Sequence, residues 1–161
     1  RVERLVNKQL SKLPSFLVKY PGLNSGFMIT QYACASLVSE NKILAHPASV
    51  DSIPSCENQE DFVSMGTTAA RTAAEILLNS RRVVATEIMA ACQAIDIRGY
   101  QDKLGKGTQA AYQAFRQFVA FIEHDKEIEM YEELNKATEV MIHGDLLSAV
   151  EKEVDLAIQF S

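Results

Sequence analysis

Apolar residues recur every three or four positions from Phe62 to Ile95, through Met65, Ala69, Ala73, Ile76, Val83, Val84, Ile88 and Ala91. This spacing matches the 3.6-residue turn of an α-helix, so it predicts one very long helix. The other faces of that helix carry small residues, which let neighbouring backbones approach closely: Ala70, Ala74, Ala85 and Ala90. We therefore expect it to be packed on more than one side, as the central helix of a bundle.

The rest of the chain also divides into helical segments. Residues 26–45 predict a helix followed by an ordered loop that is rich in breakers, "HPASVDSIPSCEN". Residues 108–123 repeat the amphipathic pattern, and residues 128–158 predict helical structure with one break at His143-Gly144. No sustained alternation of period two and no Asn-Gly or Asp-Gly hairpin turn indicates strands. The predicted fold is an all-α bundle of long helices in a single domain, residues 1–161.

Composition excludes several classes of function. Acidic residues outnumber basic ones by 21 to 16, and the basic residues are scattered, so nucleic acid is not expected as a partner. No apolar run is long enough to span a membrane. Three separated cysteines without a C-x-x-C pair predict neither a disulfide framework nor a metal site, and favour a cytoplasmic setting. The chain starts on Arg1 rather than methionine, so a piece of a longer protein is expected.

Three acids, Glu57, Glu60 and Asp61, stand directly before the predicted long helix. In a structural interpretation, Asn58 caps the helix and Asp61, three residues later, completes a capping box. Acids in the first turn would also complement the helix macrodipole. These carboxylates can therefore be explained without any catalytic role.

A functional interpretation of the same acids also has a physical basis. A carboxylate held against apolar neighbours such as Phe62 and Met65 would be desolvated, and could exchange a proton or hold a cationic substrate. The residues alone leave both interpretations open.

Other candidate residues are weaker. His46, His124 and His143 lie in loop or helix-end contexts that are typical of caps and surface residues. Two cysteines lie in apolar helical contexts that predict inert burial, which leaves Cys56 on the loop as the cysteine of interest. Met28, judged by its own context, fits a core methionine. No Ser/His/Asp or Cys/His arrangement can be proposed.

Several strings resemble consecutive blocks of the histidine ammonia-lyases, which belong to the aromatic amino acid ammonia-lyases. These blocks are "RLVNKQLSKLPSFL", "GLNSGFMITQ", "SENKILAHPASVDSIPS", "NQEDFVSMGTTAAR" and "ACQAIDIRG", collinear from Arg1 to about Gly99. The resemblance implies the helical fumarase/aspartase-like ammonia-lyase fold, a homotetramer with a shared bundle of long helices, and active sites built from three chains. Residues 60–96 would form one of those long helices.

The resemblance also implies a cofactor that this chain cannot form. In that family a methylidene-imidazolone group (MIO), made from an internal Ala-Ser-Gly, is the electrophile that turns ammonia into a leaving group. This sequence has no Ala-Ser-Gly. The expectation is therefore the C-terminal portion of such an enzyme, inactive alone, with apolar helix faces exposed.

Two site residues follow from the same resemblance. Glu60 in "NQED" matches the active-site glutamate, implicated in contacting the imidazole of the substrate and in proton handling. Met28 in "SGFM" matches the position that lines the pocket for the aromatic ring. Phenylalanine lyases tend to have lysine at the position of Met28, and phenylalanine and tyrosine lyases usually have glutamine at the position of Glu60. One departure is Phe62, where histidine lyases usually have histidine in "QEDHVSM".

The hypothesis from sequence is the elimination of ammonia from L-histidine to give trans-urocanate, performed by the longer enzyme. One alternative is a helical oligomerisation module with no chemistry of its own. A second alternative, suggested by Phe62, is a lyase that acts on another aromatic amino acid.

Overall fold

The computed structural model describes residues 1–123 and 128–156. His124 and the end of the last predicted helical segment lie outside the described residues. Within them the chain forms seven α-helices: α1 (Val2–Val6), α2 (Lys8–Ser11), α3 (Met28–Leu44), α4 (Gly66–Arg98), α5 (Lys106–Arg116), α6 (Met130–His143) and α7 (Asp145–Glu151). In the described ranges the only β pairings are two isolated bridges, so the all-α prediction is confirmed.

Helix α4 is the centre of the structure. Its 33 residues span about 50 Å, and α1, α3 and α6 all pack against it. The buried residues of α4 lie mainly in its C-terminal half: Ala85, Thr86, Met89, Ala90, Cys92, Gln93 and Ala94. The prediction of one long central helix with several packed sides is confirmed.

The start of α4 differs from the prediction. The helix begins at Gly66 after Met65, whose side chain makes no capping hydrogen bond. Asn58 lies instead in a 3-10 turn, so the predicted capping box of Asn58 and Asp61 is wrong. The reason is a hydrogen bond between residues eleven positions apart: the Val63 N–H donates to Ser52 Oγ at 2.9 Å, which holds this backbone in a loop rather than in a helical ladder.

The later helices agree with the prediction in number but not in length. Helix α5 ends at Arg116, although the amphipathic pattern continues to residue 123. The Arg116 guanidinium donates to the carbonyls of Val119 and Ala120 at 3.0 and 2.9 Å, and this stabilises a turn after the helix. The predicted break at Gly144 is confirmed, because this residue has φ +81°, a conformation that glycine adopts without steric cost.

One buried amide connects three parts of the core. Gln93 on α4 is fully buried among apolar side chains such as Leu17 and Phe115. Its Nε2 donates to the carbonyl of Ile122 at 2.9 Å and to that of Leu17 at 3.4 Å. Its Oε1 accepts from the Ile122 N–H at 3.0 Å. Gln93 thereby holds two irregular segments, around Leu17 and Ile122, against the central helix.

Large apolar side chains are exposed along the other half of the bundle. Leu77 and Leu78 on α4 are 51% and 48% exposed, and Ile43 on α3 is 76% exposed. Exposed apolar side chains grouped in this way usually mark a contact surface. The expected exposure of apolar surface is therefore confirmed. Among the described residues, no helix is both long enough and apolar enough to cross a membrane.

Candidate active site

The loop that carries Glu60 is built on an unusual turn. Three successive residues, Cys56, Glu57 and Asn58, have φ of +51°, +55° and +66°, which places them in the left-handed region. Such a conformation costs about 1–2 kcal/mol for each residue with a side chain, although asparagine tolerates it better. A turn with this strain persists only where surrounding contacts fix it.

Ser55 and Glu60 close this turn. The Ser55 N–H donates to the Glu60 carbonyl at 3.0 Å, and the Glu60 N–H donates to the Ser55 carbonyl at 3.3 Å. The Ser55 hydroxyl also donates to Glu60 Oε2 at 2.8 Å. Three hydrogen bonds between the same two residues fix the backbone of Glu60 and one of its carboxylate oxygens.

The described residues leave the Glu60 carboxylate in contact with solvent. Glu60 is exposed, and the ring of Phe62 is 84% exposed, so Phe62 does not cover its neighbour. In this chain taken alone, the arrangement in which Phe62 covers Glu60, which the sequence left open, is therefore not formed. The physical reason is that residues 59–65 form a surface loop rather than the first turns of α4.

Met28 is placed by a tight turn before α3. It is the first residue of that helix and is half-buried, while Phe27 before it is fully buried. The Phe27 N–H donates to the Phe16 carbonyl at 3.0 Å. Gly26 has φ +48°, and a Cβ there would lie 2.4 Å from Val18 Cγ1 and 2.6 Å from the Phe16 carbonyl oxygen. Glycine is therefore required immediately before this segment.

Met28 and Glu60 lie far apart in one chain, because α3 and α4 are antiparallel. Asn41 near the end of α3 donates to Ser80 on α4, and Cys34, about two turns earlier on α3, lies beside Thr86 further along α4. Met28 therefore lies level with about residue 92, roughly 39 Å along the axis from the start of α4.

The loop is too short to cancel this separation. Glu60 precedes Gly66, the first residue of α4, and the segment between them reaches at most about 21 Å. The Cα atoms of Met28 and Glu60 are thus at least about 18 Å apart. At this distance the side chains of Met28 and Glu60 do not contact each other within one chain.

The other candidates behave as surface or core residues. His46 and His143 are exposed. Cys34 and Cys92 are buried, and burial raises the pKa of both thiols, that of Cys92 to about 11. Cys56 is exposed in the left-handed turn. Across residues 1–123 and 128–156, no group of His, Cys, Asp and Glu side chains is arranged to hold a metal ion.

Sequence reasoning missed two polar arrangements. One is Ser55, whose pairing with Glu60 depends on a turn that no local pattern signals. The other is a half-buried network in which Asp96 accepts hydrogen bonds from Tyr112 and from Arg116, the latter at 2.5 Å. The separation of Tyr112 and Arg116 by one helical turn could have indicated a shared partner, but not which one. This network joins α5 to the end of α4.

Comparison with known proteins is specific: the family model for "Aromatic amino acid lyase" matches residues 1–117. The chain belongs to the aromatic amino acid lyase family. This finding confirms the family resemblance of the sequence and explains why its pattern of long helices continues past the individual blocks.

The chain is similar to curated and structurally characterised members of the family. It is 78% identical to histidine ammonia-lyase of Streptococcus sanguinis over 160 residues, which cover 99% of this chain and 31% of that protein. The crystal structure of histidine ammonia-lyase from Trypanosoma cruzi matches 95% of this chain and 30% of that one, with 39% identity and a TM-score of 0.85. Tyrosine aminomutase from Streptomyces globisporus matches 98% and 30%, with 38% identity and a TM-score of 0.90.

The curated relatives and the solved structures both match nearly all of this chain but less than a third of their own length. The chain spans about 31% of the length of the curated relatives it matches. The lyase fold predicted from sequence is confirmed by the likeness to these solved structures.

Proposed function

We propose that this chain is part of a longer histidine ammonia-lyase, an enzyme that eliminates ammonia from L-histidine to give trans-urocanate. The observation that carries the proposal is the 78% identity to a histidine ammonia-lyase over 99% of the chain. The chain would supply part of each active site and the long helix of a shared bundle. Alone, it is expected to be inactive. Its free thiols fit a cytoplasmic setting.

Glu60 has the chemistry that the imidazole of histidine requires. A carboxylate accepts hydrogen bonds and can accept a proton, and Oε2 of Glu60 already accepts from Ser55 at 2.8 Å. Among the described residues, no hydrogen bond is formed to Oε1. This oxygen is therefore the proposed acceptor for an imidazole N–H and the proposed site of proton transfer.

Met28 would form an apolar wall of the pocket for the imidazole ring. Its side chain is half-buried at the start of α3, and a thioether contacts aromatic rings favourably. Lysine at this position would instead place a positive charge beside the ring of the substrate.

The separation of Met28 and Glu60 supports an oligomeric enzyme. These two residues lie at least about 18 Å apart in one chain, so their side chains do not meet there, and different copies are proposed to supply them to one histidine. The exposed apolar half of α4, which includes Leu77 and Leu78, is the proposed contact between copies. A homotetramer with a shared bundle of α4 helices satisfies both observations.

The electrophile must come from outside this chain. The MIO group would activate the amino acid for the loss of ammonia, but its precursor Ala-Ser-Gly does not occur in this sequence. The residues of this chain therefore do not form the group. The proposed contribution of the chain is to bind the imidazole and to move a proton at Glu60.

The role of Glu60 is tested by replacement in the full-length protein that carries this chain. Glu60→Gln keeps the shape of the side chain and its bond with Ser55 but removes the charge. We expect histidine turnover to fall by at least about a hundredfold, with the oligomer unchanged by light scattering. Glu57→Gln, three residues away and equally exposed, is the matched control and should retain turnover. Full turnover in Glu60→Gln would overturn the proposed role.

The shared site is tested by mixing two inactive variants. If Met28 and Glu60 come from different copies, coexpression of Met28→Lys and Glu60→Gln chains gives hybrid oligomers in which some sites keep both native residues. Turnover should then recover to a measurable fraction of the native value. Two inactive variants that stay inactive in proven hybrids would show that the residues do not meet in this way.

A second candidate is a family member that acts on another aromatic amino acid. Phe62 departs from the usual histidine-lyase pattern, and tyrosine aminomutase shares this fold at 38% identity. Consumption of tyrosine or phenylalanine without consumption of histidine would favour it. A module without chemistry would consume none of the three.

A further inference from the structure

Ser55 makes the only side-chain hydrogen bond to the Glu60 carboxylate within the described part of the chain, at 2.8 Å. The two residues are also joined by a pair of backbone hydrogen bonds at 3.0 and 3.3 Å. The backbone pair fixes the Ser55 Cα relative to the Glu60 Cα, and the hydroxyl, which has a single proton, donates to one carboxylate oxygen at a time.

An exposed glutamate otherwise samples several side-chain rotamers. Ordering such a side chain is unfavourable in entropy, and that loss would have to be compensated each time a substrate binds. The Ser55 hydroxyl provides the ordering in advance, because its bond to an ionised oxygen is charge-assisted. This bond orients the carboxylate through Oε2, and Oε1 is available to accept from another donor.

The turn between the two residues supports the same interpretation. Residues Cys56, Glu57 and Asn58 all have positive φ, and the N–H of Gln59 donates to the Cys56 carbonyl at 3.0 Å. A strained turn without glycine is retained where its geometry is used. Its effect here is to bring the Ser55 hydroxyl beside the carboxylate of Glu60.

We propose that Ser55 is a positioning residue for the lyase reaction: its hydroxyl orients the Glu60 carboxylate so that Oε1 meets the imidazole of the substrate. This proposal rests on the proposed function of Glu60. Ser55 itself would not touch the substrate, so its effect must pass entirely through Glu60.

The test is a double-mutant cycle in the full-length enzyme with L-histidine as substrate. Ser55→Ala should lower kcat/KM about tenfold, and Ser55→Thr, which keeps the hydroxyl, should restore most of it. In a Glu60→Ala background, Ser55→Ala should change kcat/KM less than twofold, because the carboxylate it orients is absent. Ser52→Ala is the control for the loop, since Ser52 accepts from the backbone of Val63 and does not contact Glu60.

The outcomes separate the two proposals. Equal losses from Ser55→Ala in the native and in the Glu60→Ala backgrounds, or the same loss in Ser52→Ala, would show that Ser55 only stabilises the loop. Native kcat/KM in Ser55→Ala while Glu60→Ala is impaired would overturn the positioning role alone. Native kcat/KM in Glu60→Ala would overturn the proposed role of Glu60 first. Thermal unfolding of each variant checks that Ser55→Ala retains the native fold.

Discussion

Gln93→Leu is expected to destabilise the fold strongly, although leucine is apolar and similar in volume. Gln93 is fully buried in the C-terminal half of α4. It exchanges hydrogen bonds with both backbone groups of Ile122, at 2.9 and 3.0 Å, and donates to the Leu17 carbonyl at 3.4 Å. Leucine would leave these backbone groups without the partner that burial requires.

The magnitude follows from the number of groups left unpaired. A buried backbone N–H or C=O that loses its partner costs about 1–3 kcal/mol. The two short bonds to Ile122 count fully, and the long bond to Leu17 counts for less. Some of this cost is offset by the transfer of an apolar side chain into the core. The expected loss is about 3 kcal/mol of the free energy of unfolding.

Urea denaturation followed by far-ultraviolet circular dichroism measures this loss. With a slope of about 2 kcal/mol per M for a domain of this size, the midpoint should fall by about 1.5 M. Gln113→Leu, on the exposed face of α5, is the matched control and should shift the midpoint by less than about 0.3 M. Equal shifts for the two variants would refute the argument that the Gln93 hydrogen bonds stabilise the core.

Two further predictions concern the turn before α3 and the buried thiol of α4. Gly26→Ala should lower the free energy of unfolding by about 3 kcal/mol, because its Cβ would lie 2.4 Å from Val18 Cγ1. Gly22→Ala, which has a positive φ but open space around it, should lower it by about 1 kcal/mol. Thermal unfolding of both variants compares the two losses. Burial raises the pKa of the Cys92 thiol from 9.0 to about 11. Between these pH values the thiol ionises in the unfolded chain but not in the folded one, so the free energy of unfolding is fully present below pH 9 and decreases as the pH rises to about 11. The urea midpoint of Cys92→Ala should therefore fall less over this range than that of the native chain, and parallel curves would contradict the assignment.

Long periodic segments were predictable because the spacing of apolar residues along the sequence is enough to indicate a helix. The spacing of apolar residues along α4 follows from packing on several sides, and no tertiary detail is needed to recognise it. The break at Gly144 was predictable for a local reason, since glycine readily takes a positive φ.

Element ends were less predictable because tertiary hydrogen bonds set them. Ser52 holds Val63 in a loop, so α4 begins several residues later than its apolar pattern indicates. Arg116 and Gln93 draw residues 119–122 away from α5, although those residues continue its amphipathic pattern. Neither effect leaves a signal in the local sequence.

The sequence predicted two candidate site residues but not their relative positions in the fold. Resemblance to the family singled out Glu60 and Met28, whereas residue chemistry alone left Glu60 open and favoured a core role for Met28. The antiparallel packing of α3 on α4 then showed that the two residues lie far apart in one chain. Ser55 was missed because its partner is reached only through a left-handed turn.

The most direct test of the account is the substrate preference of the full-length protein that contains this chain. The ultraviolet absorbance of the product, recorded with L-histidine and separately with L-tyrosine, gives kcat/KM for each amino acid. The account predicts turnover of histidine to urocanate, preferred over tyrosine by at least about a hundredfold. Turnover of tyrosine without turnover of histidine would contradict the histidine assignment, and turnover of neither would contradict the enzymatic one.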